Sequence, residues 1–194
     1  MDAFERLLDS LSRRRVRFVI IGLSGANYYA RSGGSLFATQ DRDLLLKPDP
    51  ANVLEAWRVC EGAGLGLFAG HEPLDQPRDH VLAERVVRQK ASVRASDGAG
   101  LDVNLTLVMA GFDFATAWQG RRVFRAGDVE IPVARLSHIV ESKRRLGREK
   151  DRLFLAAHAE TIRDLVASEP RRGGEEKTPK RRPRQPPTKG RSRR

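Results

Sequence analysis

Asp41 and Asp43 stand two residues apart at the start of the run Thr39-Gln40-Asp41-Arg42-Asp43-Leu44-Leu45-Leu46. In an extended chain alternate side chains share a face, so both carboxylates project to one side while Arg42, Leu44 and Leu46 take the other. A second run, Leu101-Asp102-Val103-Asn104-Leu105-Thr106-Leu107, alternates strictly and turns Asp102, Asn104 and Thr106 away from an apolar face. If the two strands pair, three carboxylates can converge. Two like charges about 4 Å apart repel by roughly 4 kcal/mol at an effective dielectric near 20, so such a cluster needs a cation or must hold protons. The cation expected here is magnesium.

These strands need neighbours and a core. Phe4, Leu7, Leu8 and Leu11 recur at helical spacing, Asp2 and Glu5 are placed for a capping box, and Arg13 to Arg15 sit near the end that favours positive charge. Phe18-Val19-Ile20-Ile21 predicts a buried strand closed by Gly22. Gly22-Leu23-Ser24-Gly25 then predicts a turn into a helix over 26–31, and N–H groups freed at such a helix start can receive a phosphate. The same turn also serves as an ordinary strand-to-helix connection.

Ser32 to Ser35 reads as a flexible loop leading to the carboxylate strand, and Asp49 with Pro50 starts a helix through Val53, Leu54, Trp57 and Cys60. Residues 62–70 and 73–77 are the least patterned part of the body and read as a lid or a long loop. Leu82 to Ala95 is ambiguous between helix and strand, with Asp97-Gly98 favouring a hairpin into the alternating run. Phe112 to Gln119 predicts a helix, and Arg122 to Arg125 with Val129 to Val133 a hairpin around Gly127-Asp128. Leu136, Ile139, Val140 and Lys143 share one helical face ending at Leu146-Gly147, where Lys143 is placed either to snorkel past a core edge or to serve a site. A last helix opens at Arg148-Glu149-Lys150-Asp151 and runs on through Val166.

The 194 residues allow one domain, expected over 1–169, followed by a disordered basic tail over 170–194. The formal charge is +11, and from Arg171 onward 11 Lys and Arg against two Glu supply +9 of it. A basic tail on a near-neutral body implies an anionic partner for the tail, with nucleic acid first. The lone Cys60 excludes an internal disulfide, the four histidines show no zinc-ligand spacing, and no apolar run approaches the ~20 residues of a membrane span. The expected location is the cytoplasm, with no membrane partner.

Four pieces of the chain together resemble the polymerase-beta-like nucleotidyltransferases, in their small bacterial branch of abortive-infection toxins and relatives. They are Val19-Ile20-Ile21-Gly22, Thr39-Gln40-Asp41-Arg42-Asp43, Gly98-Ala99-Gly100-Leu101-Asp102-Val103, and residues 136–155 with Ser142-Lys143, Gly147-Arg148 and Lys150-Asp151. The resemblance implies an α/β (α+β) nucleotidyltransferase fold with a small mixed sheet flanked by helices. It also implies a two-metal magnesium site on Asp41, Asp43 and Asp102, with Asp102 helping to deprotonate the acceptor. Nucleotide binding falls on Gly22, Ser24, Lys143 and Asp151. Arg42 replaces the apolar residue the family carries between its carboxylates, and Leu23 intervenes before Ser24.

The expected activity is metal-dependent transfer of a nucleotide from an NTP to an acceptor hydroxyl, with RNA among the acceptors. Two alternatives share these residues: an inactive module of the same fold that binds nucleic acid or a cognate antitoxin-like protein, and an enzyme that modifies a small molecule such as an antibiotic.

Overall fold

The computed structural model describes residues 2–30, 37, 39 and 41–169. Among them, eight helices and one eight-stranded mixed sheet form an α/β architecture. The calls on the loop at 32–35 and the tail at 170–194 lie outside the described residues.

Helix α1 (Ala3–Arg13) carries the expected capping box: Asp2 accepts from the Glu5 N–H at 2.7 Å, and Glu5 accepts from the Asp2 N–H at 3.0 Å. Strand β1 (Phe18–Ile21) is buried at all four positions, as a central strand covered on both faces must be. Helix α2 (Gly22–Ala30) begins on the very next residue, so the four-residue turn expected at 22–25 collapses into one corner. Gly22 makes that corner at φ +66°, and the Ser24 hydroxyl donates to the Ile21 carbonyl at 3.2 Å inside the first turn.

Strand β2 (Arg42–Leu46) starts half-buried and ends in three buried leucines, which leaves its polar end at the sheet's mouth. Helix α3 (Pro50–Gly62) follows from the Asp49 cap, with Pro50 in its first turn. Its Cys60 is buried, and burial pushes the thiol up to about 12. Where a lid or loop is expected, the chain forms short strands β3 (Gly66–Ala69) and β4 (Glu72–Pro73) at one end of the sheet, β4 being its edge, too short to print an alternating pattern.

The ambiguous stretch resolves into helix α4 (His80–Gln89) and strand β5 (Val93–Ser96), separated by Lys90 at φ 51°. Strand β6 (Asp102–Thr106), helix α5 (Phe114–Gly120), and the hairpin of β7 (Arg122–Ala126) and β8 (Val129–Val133) fall where the sequence places them. Helix α6 (Leu136–Leu146) ends on Gly147 at φ 60°. The single last helix is two, α7 (Glu149–Ala157) and α8 (Ala159–Ala167), broken at His158. Helix α6 has no side-chain cap of its own; Glu169, just beyond α8, accepts from the Leu136 N–H at 2.7 Å and the Ser137 N–H at 3.3 Å instead.

The sheet order is β4-β3-β5-β6-β2-β1-β8-β7. Strand β2 pairs antiparallel with β1 and parallel with β6, so the two acidic strands are indeed neighbours. Successive β2 residues look to opposite layers: the Arg42 guanidinium lies over the Phe4 ring of α1, while Asp43 faces Gly22 of α2. Among the described residues no helix is long and apolar enough to cross a membrane.

Candidate active-site cleft

A cleft of about 930 Å³ opens over the α2 side of the sheet. Gly22, Asp41, Asp43, Asn104 and Thr106 line its floor, and Lys143, Arg148, Lys150 and Asp151 of α6, α7 and their junction line its wall. The size suits a ligand of nucleotide class. Two carboxylates, Asp41 and Asp43, stand on the floor and three cations on the wall, where Asp151 is paired with Lys143.

Register decides which residues meet. Asp43 pairs with Asn104 across the parallel β2 and β6 strands, and the Asn104 amide donates to Asp43 Oδ1 at 3.1 Å. Arg42 pairs with Val103, which puts Asp102 one step further out, at the exposed start of β6. There it accepts from Arg94 Nη1 at 3.2 Å, outside the cleft lining. The structure thus brings Asp41 and Asp43 into the cleft and leaves Asp102 in a surface ion pair. Among the described residues no three His, Cys, Asp or Glu side chains form a metal-holding group.

Asp43 is the more buried member of the pair. Burial raises its carboxyl above the ordinary carboxylate range, the charge of Asp41 adds to this, and the Asn104 hydrogen bond with the charges of Lys143 and Lys150 pull the other way. The carboxylates sense each other and the cations across the cleft. Gly22 completes the corner: a β-carbon there would overlap Asp43 Oδ2.

Of the four residues expected to bind nucleotide, Gly22, Lys143 and Asp151 line the cleft. Ser24 lies in a smaller pocket of about 140 Å³ beyond Asp41, and its hydroxyl accepts from the Asp43 N–H at 3.4 Å. Its place is to tie α2 to β2. Lys143 Nζ donates to Asp151 Oδ1 at 2.6 Å, both side chains being nearly buried, while Asp151 Oδ2 is buried with no hydrogen-bond partner among the described residues. A buried carboxylate oxygen left unpaired is costly and is satisfied by a donor from a ligand or water.

Three contributors carry weaker sequence signals. Asn104 and Thr106 share the Asp102 face by simple alternation, yet only the strand register shows that they outrank Asp102. Phe154, an apolar residue of α7, lines the cleft and packs edge-on against Phe37 at 5.0 Å between centroids. Asn27 holds Phe37 by both main-chain groups, donating to its carbonyl at 2.9 Å and accepting from its N–H at 2.7 Å.

Compared with known proteins, the sequence matches no family model and no curated protein.

Proposed function

We propose that the cleft transfers a nucleotide from an NTP to an acceptor hydroxyl, within a nucleotidyltransferase fold, and that RNA is the acceptor to test first. The observation that carries this reading is the meeting of Asp41, Asp43 and the Gly22 corner on a cleft floor that faces Lys143, Arg148 and Lys150. Main-chain N–H groups at the start of α2 and the three cations of the wall can together hold a triphosphate.

Asp41 and Asp43 fit one magnesium ion, which takes hard oxygen ligands and is held by one or two carboxylates together with substrate phosphates. Their mutual repulsion and the burial that raises Asp43 are both relieved by a divalent cation. When bound, the ion supplies charge neutralisation at the α-phosphate and the leaving oxygen. The acceptor oxygen forms the new bond to the α-phosphorus, the α–β bridging P–O bond breaks, and pyrophosphate leaves. The hydroxyl proton passes to the carboxylate pair. Asp151 Oδ2 offers an acceptor to a sugar hydroxyl or an amino group of the bound nucleotide.

The test is incubation with each labelled NTP, magnesium and total RNA, comparing the wild type with an Asp41→Ala, Asp43→Ala variant. Label is expected in the RNA with the wild type alone; equal label with both proteins removes the enzymatic reading. One observation favours a second reading, a module that binds nucleotide without turnover: Asp102 is engaged with Arg94 rather than with the pair. That reading expects NTP binding by the wild type with no label in any acceptor.

A further inference from the structure

Another cationic feature lies apart from the cleft lining. Arg17 precedes the first residue of β1, whereas Gly22 of the cleft follows its last. The Arg17 guanidinium carbon lies 4.7 Å from the centroid of the Trp118 ring, and that of Arg121 lies 3.7 Å from the same centroid. Trp118 is itself stacked on Phe114, at 5.7 Å and 21°. One indole therefore carries two cations.

Each guanidinium is drawn to the face of the ring, but the two repel each other. Neighbouring arginines have found acids: Arg13 pairs with Asp9 at 2.8 Å, and Arg14 with Glu55 at 2.7 Å. Neither Arg17 nor Arg121 forms an ion pair with a carboxylate among the described residues. Burial and then the Arg17 charge loosen the proton of Arg121, and no acid offsets them. Arg17 is anchored through its main chain and Arg121 through its guanidinium. The Arg17 N–H donates to Asn52 Oδ1 at 2.7 Å, its carbonyl accepts from Asn52 Nδ2 at 3.1 Å, and Arg121 Nη1 donates to the Trp118 carbonyl.

We propose that Arg17 and Arg121, gathered on Trp118, bind a backbone phosphate of single-stranded nucleic acid. A phosphodiester brings two free oxygens, one for each guanidinium fork, and removes the repulsion that the fold leaves standing. Trp118 and Phe114, partly exposed beside the cations, give a neighbouring base an aromatic contact of which a peptide carboxylate makes no use. A chain of +11 gains further from a long polyanion. The site does not depend on transfer at the cleft.

The experiment is fluorescence anisotropy of the full chain with a labelled single-stranded RNA, without NTP or divalent metal, between about 50 and 200 mM salt. Each phosphate contact contributes about 0.7 to the slope of log affinity against log salt. Replacing both residues, Arg17→Gln with Arg121→Gln, removes that one phosphate contact and is expected to make the slope shallower by roughly 0.7 and to weaken binding at every salt concentration. Arg17→Gln alone is expected to remove about half of that change, and because this side chain is exposed the variant should melt as the wild type does. Wild-type affinity and slope in the single variant overturn the proposal. So does displacement of the RNA by polyglutamate as effective as by unlabelled RNA, which assigns the site to acidic protein.

Discussion

The α-carbon of Gly22 packs directly against the carboxylate of Asp43. A β-carbon at Gly22 would overlap Oδ2, and the residue sits at φ +66°, a conformation that side chains resist. One glycine thus fixes how closely the acidic end of β2 approaches the start of α2. Gly22→Ala is expected to cost about 1–3 kcal/mol from backbone strain and overlap. Because Asp43 must move to make room, the loss of labelled-NTP incorporation should exceed the fraction of protein unfolded in a parallel melting curve.

On the proposed reading, Asp43 serves the cleft at the expense of stability. Burial raises its carboxyl above the ordinary range, so the folded chain holds the proton more tightly than the unfolded one. Ionisation therefore withdraws stability as pH climbs above the unfolded carboxylate's value near 3.9, and the penalty is complete once pH passes the folded value. Asp43→Asn keeps a partner for the Asn104 amide and removes the charge. We expect it to melt higher at neutral pH, with the gain fading in acid, while nucleotide transfer is lost. A neutral-pH melting point at or below the wild type's contradicts this.

If the carboxylate pair holds a divalent cation, the cation stabilises the folded chain in proportion to its occupancy. Magnesium at a hundredfold excess over its dissociation constant should add about 2.7 kcal/mol. The melting point of the wild type should rise with added magnesium, and that of an Asp41→Asn, Asp43→Asn variant should not. Equal rises in both proteins would place the ion elsewhere.

Much of this arrangement is legible in the chain. The capping box at Asp2 and Glu5, the Asp49-Pro50 helix start and the αL stop at Gly147 are local devices, and local devices are written where they act. Asp41 and Asp43 at the mouth of a leucine run follow from spacing, whereas Lys143 and Asp151 enter as site residues only through the family resemblance, and both line the cleft. What the sequence leaves open is register. Asp102, Asn104 and Thr106 share one face whichever way β6 slides against β2, and only the pairing of Asp43 with Asn104 shows which of them enters the cleft. Glu169 capping α6 from 33 residues away is likewise invisible to any local pattern.

The position of Asp102 gives a direct test of the two-carboxylate site. Its pair with Arg94 is exposed on both sides, and such pairs contribute about 0–1 kcal/mol. Asp102→Asn should melt like the wild type and keep transfer within about tenfold, a loss of no more than ~1.4 kcal/mol in the barrier. Asp41→Asn and Asp43→Asn should fall to background in the same assay. An equal loss in all three would mean that Asp102 leaves Arg94 and joins the metal site during turnover.

Lys143 and Asp151 raise the question of whether a buried ion pair serves the fold or the ligand. Removing one partner, as in Lys143→Met, strands the other charge and should cost about 3–5 kcal/mol. Replacing both, Lys143→Met with Asp151→Leu, removes the stranded charge, and apolar substitutes for buried pairs are often neutral or stabilising by about 1–4 kcal/mol. Stability should therefore return in the double variant. Activity should not, because Asp151, which lines the cleft and whose Oδ2 has no partner among the described residues, is then no longer there to serve the nucleotide. Melting curves and labelled-NTP assays on the two variants separate the roles: a double variant that regains both stability and transfer would mark the pair as scaffolding alone.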